Sequence, residues 1–564
     1  MVELLRHWAR QRPDERAFVL LSDHAREEAS LTFAEFERRA DAVAHQLRGR
    51  CRPGERALLL FPQSIDFLVA LFGCLIAGVI AVPMMVPRRQ SARDSSGAIL
   101  ADCAPRLALT NSATLQARSD LIERFRSSAV EWLEVDQIKC SEAKSAQASR
   151  QPTADDIAIL QYTSGSTSEP KGTIVTHGNL LANSEMIRAS HGNTSLSTYV
   201  SWVPLYHDMG LILNALQSFY VGALCVLLAP VTFMQRPLIW LKAIHDYRAE
   251  VAGGPNFGFD LCVNRFRPEL MQGIDLSCWK LALNGAEPVQ AKTIERFSAT
   301  FAPFGFNPAA MFPAYGMAEA TVLISGGRRG AGPTIVNVDR KALQRGQAFA
   351  ASPGTESQPV VGCGKNLPGE QIAIVDPDSR QRRSTNRVGE IWVQGGNVAR
   401  GYWDKTEETG DAFHARIDGE DGAQWLRTGD LGFLDETGEL FITGRIKDVI
   451  IIRGRNHYPQ DIESTVQASH PALRPNYGAA FGTVDAQSEE RLIIVQEVER
   501  TQRNRCSVDE LEGCIREAVV EQHEIAPHRI VLIRPGQIPK TTSGKIQRSL
   551  TRRLWLDGAF KPLT

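Results

Sequence analysis

Short apolar runs alternate with amphipathic stretches along most of this chain. Runs whose length suits buried strands lie at 57–61, 157–160, 224–228 and 280–283. Stretches with apolar residues at helical spacing lie at 64–77 and 178–190. Strands that alternate with helices in this way predict an α/β fold built of layers.

The pattern changes in the last third of the chain. From about Val361, strand-like segments at 371–375, 389–394 and 438–443 are separated by Gly, Asp and Pro turns, which predicts a β-rich subdomain. After Arg445 the alternation returns, with strands expected at 491–497 and 529–533 and a helix at 508–520. These elements suffice for a small α+β terminal domain. Polar segments of low complexity predict loops at 88–98, 141–153 and 347–359.

One uncharged segment, 67–86, is long enough to cross a bilayer. Gly73, Gly78 and Pro83 divide it, however, so a buried helix, a turn and a short strand are predicted instead. A second apolar segment, 211–230, contains Asn214 and other polar residues that interrupt it in the same way. The chain is therefore not expected to span a membrane.

Length and charge limit the class of protein. The chain has 564 residues, which is too long for a single hydrophobic core, and the usual domain size predicts roughly three or four domains. The 63 Lys and Arg residues nearly balance the 64 Asp and Glu residues, so no overall charge attracts nucleic acid.

The ten cysteines form no Cys-x-x-Cys pair or metal-ligand spacing and are expected to be reduced and buried. Because residues 1–8 lack a signal-peptide layout, the expected compartment is the cytoplasm.

The segment 162–172, Tyr-Thr-Ser-Gly-Ser-Thr-Ser-Glu-Pro-Lys-Gly, carries the clearest chemistry. Its hydroxyls and glycine amides can donate hydrogen bonds to phosphate oxygens, and Lys171 adds a positive charge. It is not a Walker A loop, because Lys171 precedes Gly172 and the next residues predict a strand instead of a helix. A phosphate-binding loop between two strands is predicted.

Further motifs follow this loop in chain order. They are Trp202-Val-Pro-Leu-Tyr-His-Asp-Met-Gly210, Asn284-Gly-Ala-Glu-Pro288, Tyr315-Gly-Met-Ala-Glu319, Arg427-Thr-Gly-Asp430, Gly444-Arg-Ile-Lys-Asp448 and Pro539-Lys-Thr-Thr-Ser-Gly-Lys545. In this order they resemble the core motifs of the adenylate-forming superfamily, which includes acyl-CoA synthetases, luciferases and adenylation domains. Residues 444–461 (GRIKDVIIIRGRNHYPQD) and an extra segment after Val338 resemble the fatty acyl-AMP ligase branch in particular.

This resemblance implies a domain organisation and a reaction. A large N-terminal adenylation domain, 1–445, would contain two α/β subdomains and a β-rich one, with the family-type insertion near 339–361. A small, mobile α+β domain would occupy 446–564. The implied enzyme uses ATP and Mg²⁺ to convert a fatty acid to an acyl adenylate. It then passes the acyl group to a holo acyl carrier protein, expected as a separate chain. In the family, the insertion disfavours the rearrangement that permits use of CoA.

The resemblance also assigns residues to the nucleotide. The phosphates would contact Thr163, Ser164, Gly165, Ser166, Thr167 and Lys171. Glu319 would bind Mg²⁺, with Thr163 as a second candidate ligand. The segments Gly285-Ala286-Glu287 and Tyr315-Gly316-Met317 would flank adenine, with Tyr315 stacked on the base. Asp430 would accept hydrogen bonds from both ribose hydroxyls, and Arg445 would lie beside the ribose or phosphate.

The remaining assignments concern catalysis and the acyl chain. Lys545 would neutralise charge that grows at the α-phosphate, His207 would meet the substrate carboxylate, and Lys447 would form the hinge between the domains. Gly254, Asn256 and Phe257 would line the acyl tunnel. Ala318 stands where many superfamily members have Thr, so the hydroxyl that reaches the α-phosphate, if any, stays open; Thr321 is the nearest one.

Three other functions compete with this interpretation. An ordinary fatty acyl-CoA synthetase would differ only in the thiol that accepts the acyl group. A catalytically inactive adenylation fold would serve as a binding protein, although Lys171, Glu319, Asp430 and Lys545 argue against it. An amino-acid-activating domain needs an acidic residue in its pocket. Asp260 is the candidate, but the resemblance suggests that it faces the protein interior.

Overall fold

The structure, a computed structural model, describes residues 1–87, 96–125, 130–140, 151–163, 170–420, 422–452, 455–484, 490–502, 506–541 and 544–563, without the side chains of Glu123, Arg124 and Thr163. The strands of the first 330 residues are β1 (Arg16–Leu21), β2 (Glu27–Thr32), β3 (Arg56–Leu60), β4 (Ile80–Met84), β5 (Leu107–Thr110), β6 (Glu131–Glu134), β7 (Ile157–Thr163), β8 (Lys171–Thr176), β9 (Thr198–Ser201), β10 (Leu224–Leu228), β11 (Val251–Gly254), β12 (Leu281–Asn284), β13 (Met311–Tyr315) and β14 (Ser325–Gly326). The later strands are β15 (Ile335–Asp339), β16 (Ser357–Val361), β17 (Lys365–Asn366), β18 (Glu370–Val375), β19 (Gly389–Gly395), β20 (Leu426–Leu434), β21 (Leu440–Arg445), β22 (Ile450–Ile452), β23 (Arg455–His457), β24 (Leu473–Val484), β25 (Glu490–Val498) and β26 (Arg529–Ile533).

The α-helices alternate with the strands through most of the chain. Those of the first 300 residues are α1 (Val2–Gln11), α2 (Phe33–Arg48), α3 (Ile65–Ala77), α4 (Ser96–Cys103), α5 (Ser112–Ala117), α6 (Asp120–Phe125), α7 (His177–His191), α8 (Gln217–Tyr220), α9 (Pro230–Gln235), α10 (Leu238–Asp246), α11 (Asn256–Asn264) and α12 (Ala291–Phe301). The later helices are α13 (Arg340–Gln344), α14 (Thr406–Phe413), α15 (Pro459–Ser469), α16 (Val508–His523) and α17 (Arg548–Leu556). A π-helix, Met209–Leu216, leads directly into α8.

Two sheets form the α/β layers that the alternation predicts. The larger has nine strands in the order β17-β14-β13-β12-β11-β9-β10-β1-β2, and its six central strands from β13 to β1 are parallel. The smaller has the order β6-β5-β3-β4-β7-β8, parallel except for β8 at its edge. Both faces of a parallel sheet are covered, so its strands are continuous apolar runs.

The apolar segment 67–86 forms the helix, turn and strand predicted for it. Helix α3 begins after Ser64, whose side chain accepts a hydrogen bond from the amide of Phe67 at 3.3 Å. It ends at Gly78, whose φ of +72° is the left-handed conformation that favours glycine. Strand β4 follows and is fully buried. In the part of the chain that the structure describes, no helix has the length and apolar character needed to span a bilayer.

The last third of the chain contains the β-rich and α+β parts. Strands β18, β19, β20 and β21 form an antiparallel sheet, and β24, β25 and β26 form a second sheet that packs with α15 and α16. The fold class is therefore confirmed: a large mixed α/β domain precedes a smaller C-terminal one. Strand β21 ends at Arg445 and a short 3₁₀ turn, Ile446–Asp448, leads onward. The boundary at 445/446 stays a prediction.

The predicted insertion near 339–361 coincides with a hairpin that contacts the C-terminal part of the chain. Strands β15 and β16 pair antiparallel, and α13 lies between them. Lys341 Nζ lies 2.8 Å from Glu524 Oε1, and Gln358 Nε2 donates to Asp461 Oδ2 at 2.7 Å. Arg340 also donates to the carbonyl of Gln522. We call residues 335–361 the insertion hairpin.

Some local predictions were wrong. The loop expected at 88–98 includes the start of α4, and the loop expected at 347–359 includes the start of β16, because pairing with β15 overrides the polar composition. Cys140, Cys506 and Cys514 are half-buried where burial was expected, whereas the remaining cysteines are buried; all ten are unpaired. Residues 141–150 lie outside the described residues.

Candidate active site

Several of the predicted site residues lie at the carboxyl ends of the central strands of the nine-stranded sheet. The parallel strands β9, β11, β12 and β13 end side by side, so the segments that follow them meet at their carboxyl ends. Trp202 and His207 follow β9, Phe257 follows β11, Glu287 follows β12 and Glu319 follows β13. The topology thus brings together motifs that are far apart in sequence.

Asp430 is the central carboxylate of one half of the site. Its Oδ2 accepts a hydrogen bond from the hydroxyl of Tyr315 at 2.8 Å, and its Oδ1 accepts one from Nε of Arg445 at 2.6 Å. The charge of Asp430 raises the pKa of Arg445, although that side chain is 48% exposed. Each carboxylate oxygen can accept a second hydrogen bond. Both oxygens therefore retain acceptor capacity for a ligand hydroxyl.

Glu319 belongs to a second group, with Tyr402 and Lys171. The hydroxyl of Tyr402 donates to Glu319 Oε1 at 2.8 Å, and Lys171 Nζ lies 4.9 Å from the centre of the Tyr402 ring. Burial raises the pKa of Glu319, and the hydrogen bond from Tyr402 offsets part of this effect. The group contains one ammonium and one carboxylate, and since each carboxylate oxygen can accept two hydrogen bonds, the carboxylate retains acceptor capacity beyond the bond from Tyr402.

His207, Asp208 and Lys545 form a third group. Nδ1 of His207 lies 2.6 Å from Oδ1 of Asp208, which also accepts the amide of Met209 at 2.7 Å. Burial would raise the pKa of Asp208, but the interactions with His207 outweigh it and the pKa lies below its usual value. Burial lowers the pKa of Lys545, and the charge of Asp208 opposes this shift.

Lys545 connects the C-terminal domain to this edge of the sheet. The charges that act on its amine belong to Asp208, Arg445, Glu287 and Asp430. Arg445, Glu287 and Asp430 belong to motifs predicted to contact the nucleotide, and Asp208 lies beside His207, which was predicted to meet the substrate carboxylate. A lysine from the last thirty residues of the chain therefore lies among carboxylates that residues 208–430 supply.

Close backbone approach explains several glycines of the motifs. A Cβ at Gly316 would lie 1.8 Å from the carbonyl oxygen of Val322, and one at Gly285 would lie 2.8 Å from that of Ala314. Ala286 has a φ of +68°, which is rare for a residue with a side chain. Burial raises the pKa of the neighbouring Glu287, and Lys545 and Lys540 oppose this shift. Strain of this kind is often stored at functional sites.

The proposed acyl wall is more aromatic than the sequence suggests. A Cβ at Gly254 or at Gly258 would lie 2.7 Å from the indole of Trp202, so the two glycines make room for this ring. The indole also stacks on Phe233 at 3.9 Å and meets Phe257 edge-on at 5.6 Å. Gly254 therefore makes room for the buried indole of Trp202, and its role in lining an acyl tunnel stays a prediction.

Several other predicted residues have structural partners. Asn256 is buried, donates to the carbonyl of Pro288 and accepts from the amide of Gln290, so it supports the wall and its amide is fully engaged. Asp260 accepts from Thr293 at 3.1 Å and pairs with Arg296 at 3.3 Å, as expected for a residue that faces the interior. The hydroxyl of Thr321 donates to the carbonyl of Asn397 at 2.6 Å.

A few predicted residues stand apart from these groups. Lys447 is exposed in the 3₁₀ turn after β21, and Met317 is half-buried in the segment after β13. Ser164, Gly165, Ser166 and Thr167, with the side chain of Thr163, lie outside the described residues. The strands that flank them, β7 and β8, pair antiparallel with Thr163 opposite Lys171, as predicted for a loop between strands.

Sequence reasoning missed three residues of the site. Tyr402 lies in none of the motifs, and no periodicity could have indicated its contact with Glu319, 83 residues away. Asp208 and Trp202 lie within the motif that contains His207. The sequence offered two signals for them. Asp208 is a carboxylate directly beside His207, and Trp202 is a large aromatic residue at the start of the same motif.

Comparison with known proteins identifies the family. The model of the AMP-binding enzyme family matches residues 5–403, and a model described as the AMP domain of Disco-interacting protein 2-like proteins matches residues 447–563. The medium-chain-fatty-acid–[acyl-carrier-protein] ligase JamA of Moorena producens is 43% identical over 570 residues, which cover 99% of this chain and 95% of that protein. A Mycobacterium tuberculosis protein named as a fatty-acid–CoA ligase is 38% identical, covering 99% of this chain and 98% of that protein.

Solved structures of similar proteins support the same family. A fatty acyl-adenylate ligase of Legionella pneumophila, crystallised with acyl adenylate and pyrophosphate, is 38% identical with a TM-score of 0.77, covering 100% of this chain and 96% of that chain. A structure from a study of the fatty acyl-adenylate ligases of E. coli and L. pneumophila is 31% identical with a TM-score of 0.89, covering 99% and 97%. The chain belongs to the AMP-binding enzymes and, within the adenylate-forming superfamily, to the fatty acyl-AMP ligases.

Proposed function

We propose that this protein uses ATP to activate a fatty acid as its acyl adenylate and then transfers the acyl group to the phosphopantetheine thiol of a separate holo acyl carrier protein. The observation that carries the proposal is the position of Lys545 among Asp208, Glu287, Asp430 and Arg445. A half-buried ammonium beside a carboxylate-lined site is suited to a reaction in which negative charge accumulates.

In the first step a carboxylate oxygen of the fatty acid attacks the α-phosphorus of ATP. The new P–O bond forms as the bond to the β-phosphate oxygen breaks, and pyrophosphate leaves with that electron pair. Lys545 and Arg445 would neutralise the charge that grows on the α-phosphate oxygens. His207, which lies against Asp208, would hold the attacking carboxylate.

Lys171, Glu319 and the loop between β7 and β8 would bind the rest of the triphosphate. Lys171 and the hydroxyls and amides of 163–167 suit the β- and γ-phosphates. The donor set fits Mg²⁺, because Glu319 retains a carboxylate oxygen and Mg²⁺ prefers hard oxygen ligands. Mg²⁺ would supply charge neutralisation to the phosphates, with Thr163 as the second candidate ligand.

Asp430 and Tyr315 would bind the nucleoside. Asp430 has one acceptor position left on each oxygen, which suits two ribose hydroxyls. The buried Tyr315 is held by its hydroxyl, so its ring has a defined orientation against which adenine can stack. Residues 285–287 and 316–317 would complete the adenine site.

Phe257 and Trp202 would form the wall of the acyl site, since aromatic surface favours an aliphatic chain. The proposed boundary between the domains remains 445/446, with Lys447 at the hinge and the insertion near 339–361. The cytoplasmic compartment also stays a prediction.

A fatty acyl-CoA synthetase is the second candidate, since one relative is named as a CoA ligase. The insertion hairpin favours the carrier protein as acceptor. Its Lys341 and Gln358 contact Glu524 and Asp461 of the C-terminal domain, and these contacts would be lost if that domain rotated to admit CoA.

The test supplies ATP, Mg²⁺ and a ladder of fatty acids, followed by either CoA or a holo acyl carrier protein, and identifies products by mass spectrometry. Acyl adenylate with transfer to the carrier alone would support the proposal and reveal the preferred chain length. Efficient formation of acyl-CoA would favour the second candidate, and absence of any acyl adenylate would reject both.

A further inference from the structure

A second half-buried lysine, Lys540, lies five residues before Lys545 and has no part in the chemistry proposed above. Its amine donates to the carbonyl of Asn476 at 3.1 Å. The other groups around it are aromatic: Nζ lies 4.0 Å from the ring centre of Tyr477 and 6.0 Å from that of Phe257. Among the described residues, no carboxylate lies within ion-pair distance of this amine.

The Tyr477 ring is itself held in place. Arg474 lies 3.5 Å from its centre, and the same guanidinium pairs at 2.7 Å with Glu497, which is fully buried. Glu497 in turn accepts the amides of Gly536 and Ile538, just before the loop that contains Lys540. The aromatic surface beneath Lys540 is therefore a rigid part of the C-terminal domain.

Phe257 contacts the other end of the same loop. A Cβ at Gly544 would lie 2.6 Å from the Phe257 ring, and Gly544 has a φ of +86°, so only glycine fits there without strain. Asn476 also contacts Asp260, one helical turn after Phe257, at 3.4 Å. Both ends of the segment from Lys540 to Lys545 thus meet α11, which supplies the proposed acyl wall.

We infer that Lys540 is a positioning residue, which docks the Lys545 loop on Phe257 and so couples the acyl site to the position of Lys545. This inference rests on the proposed function. A cation desolvated between two rings is attracted to both, so the ammonium holds the loop where Lys545 reaches the carboxylates. An acyl chain that packs against Phe257 would steady the ring on which the loop rests.

The charges that face Lys540 allow a test by pH. Burial lowers its pKa to about 8; Glu287 and Glu497 oppose this shift, and Arg474 adds to it. The ammonium form is therefore lost as pH rises through about 8, and with it the attraction to the rings. Lys545 also has a lowered pKa, so the two lysines must be separated by substitution.

The experiment compares Lys540→Met, which keeps the apolar stem, with Lys540→Arg, which keeps a cation at every accessible pH. Lys561→Met, an exposed lysine of the same domain, is the control. We expect Lys540→Met to lower kcat for pyrophosphate release about tenfold and to leave transfer from supplied acyl adenylate unchanged. Lys540→Arg should release pyrophosphate at most of the wild-type rate. In this variant the rate should no longer fall as pH rises through the pKa of Lys540, because arginine stays protonated.

Hydrogen–deuterium exchange of residues 539–547 measures the docking of the loop without depending on enzymatic activity. Exchange there should accelerate in Lys540→Met and in Phe257→Leu, and the double variant should add little. Unchanged exchange and wild-type adenylation in Lys540→Met would overturn the inference, as would an equal loss of both half-reactions with a lower Tm. If the wild type makes no acyl adenylate, the proposed function fails while the exchange measurement still decides the docking of the loop.

Discussion

At the scale of single residues, the two carboxylates proposed to contact the nucleotide have opposite surroundings. Asp430 has a cationic partner in Arg445 and a hydroxyl donor in Tyr315. Glu319 has one hydroxyl donor, and burial dominates its pKa. The first is thus ready to accept hydrogen bonds, whereas the second gains most from a bound cation.

Magnesium affinity should therefore depend on pH through Glu319. Burial raises its pKa, so the protonated form competes with the metal and the affinity should increase as pH rises through that pKa. Tyr402→Phe removes a hydrogen bond to the carboxylate but keeps the ring beside Lys171, so it should shift the Mg²⁺ requirement to higher pH. Mg²⁺ titrations of pyrophosphate release at several pH values measure this. An identical dependence in wild type and Tyr402→Phe would contradict it.

Lys545→Ala should abolish adenylation without loss of stability. The half-buried ammonium of Lys545 has a lowered pKa, so desolvation opposes its charge and removal of the ammonium relieves that cost. We expect pyrophosphate release to fall at least about a hundredfold, as for other groups that stabilise transition-state charge. Thermal unfolding should be unchanged or slightly higher. Wild-type pyrophosphate release by this variant would remove Lys545 from the mechanism.

At the scale of elements, Arg548 ties α17 to two other parts of the C-terminal domain. Its guanidinium makes two hydrogen bonds to Glu463 of α15, at 2.7 and 2.8 Å, and reaches Asp448 of the turn after β21 at 3.3 Å. A forked donor against a buried carboxylate gives strong and specific geometry. The position of α17, and of the Lys545 loop just before it, depends on this pairing.

Arg548→Ala should destabilise the C-terminal domain by about 3 kcal/mol, because it leaves the buried carboxylate of Glu463 without its cationic partner and with only the amide of Ala480 as a donor. Arg548→Lys should restore only part of this, since lysine cannot make both hydrogen bonds. Arg552→Ala, at an exposed arginine of the same helix, is the matched control and should have little effect. Denaturant unfolding followed in the C-terminal domain measures the difference. Equal stability of the Arg548 and Arg552 variants would contradict this role.

Glu370, at the start of β18, should make stability depend on pH. Burial raises its pKa to about 8, despite hydrogen bonds from the Leu367 amide and from Asn397. The folded state then binds more protons than the unfolded state between the two pKa values. Stability should fall by up to about 1.4 kcal/mol per pH unit as pH rises toward 8.

The measurement for Glu370 compares thermal unfolding of wild type and Glu370→Gln. The variant keeps a hydrogen-bonding side chain but cannot ionise, so its Tm should vary less between about pH 6 and 8. Parallel curves for the two proteins would show that Glu370 does not carry this dependence.

At the scale of the whole molecule, the insertion hairpin should influence the choice of thiol. Lys341→Glu places a like charge opposite Glu524 and weakens one contact between the hairpin and the C-terminal domain. Since this pair is exposed, we expect the ratio of CoA thioester to carrier thioester to rise only about two- to fivefold. Arg345→Glu, an exposed charge reversal in the same hairpin, is the control and should leave the ratio unchanged. If Lys341→Glu and Arg345→Glu gave the same ratio of CoA thioester to carrier thioester, the insertion hairpin would have no role in the choice of thiol.

Much of the architecture was predictable from periodicity. The runs that form β3, β7, β10 and β12, and the division of 67–86 at Gly78, follow from local patterns of burial and from backbone preferences. The order of the motifs along the chain identified the family, and three of the motifs follow strands of the nine-stranded sheet, namely β9, β12 and β13. The start of β16 was missed because its pairing with β15 depends on contacts beyond its own sequence.

What the amino-acid sequence determined by itself was the succession of elements and the chemical groups that follow each strand, since both depend on neighbours along the chain. Tertiary structure decided which groups meet. The hydroxyl of Tyr315 binds Asp430, Tyr402 binds Glu319, Trp202 fills the space above Gly254, and Lys540 reaches Phe257. These partners come from distant segments that only the folded sheet and the docked C-terminal domain bring together. Burial, which sets the pKa values of Glu319 and Lys545, arises from that same packing.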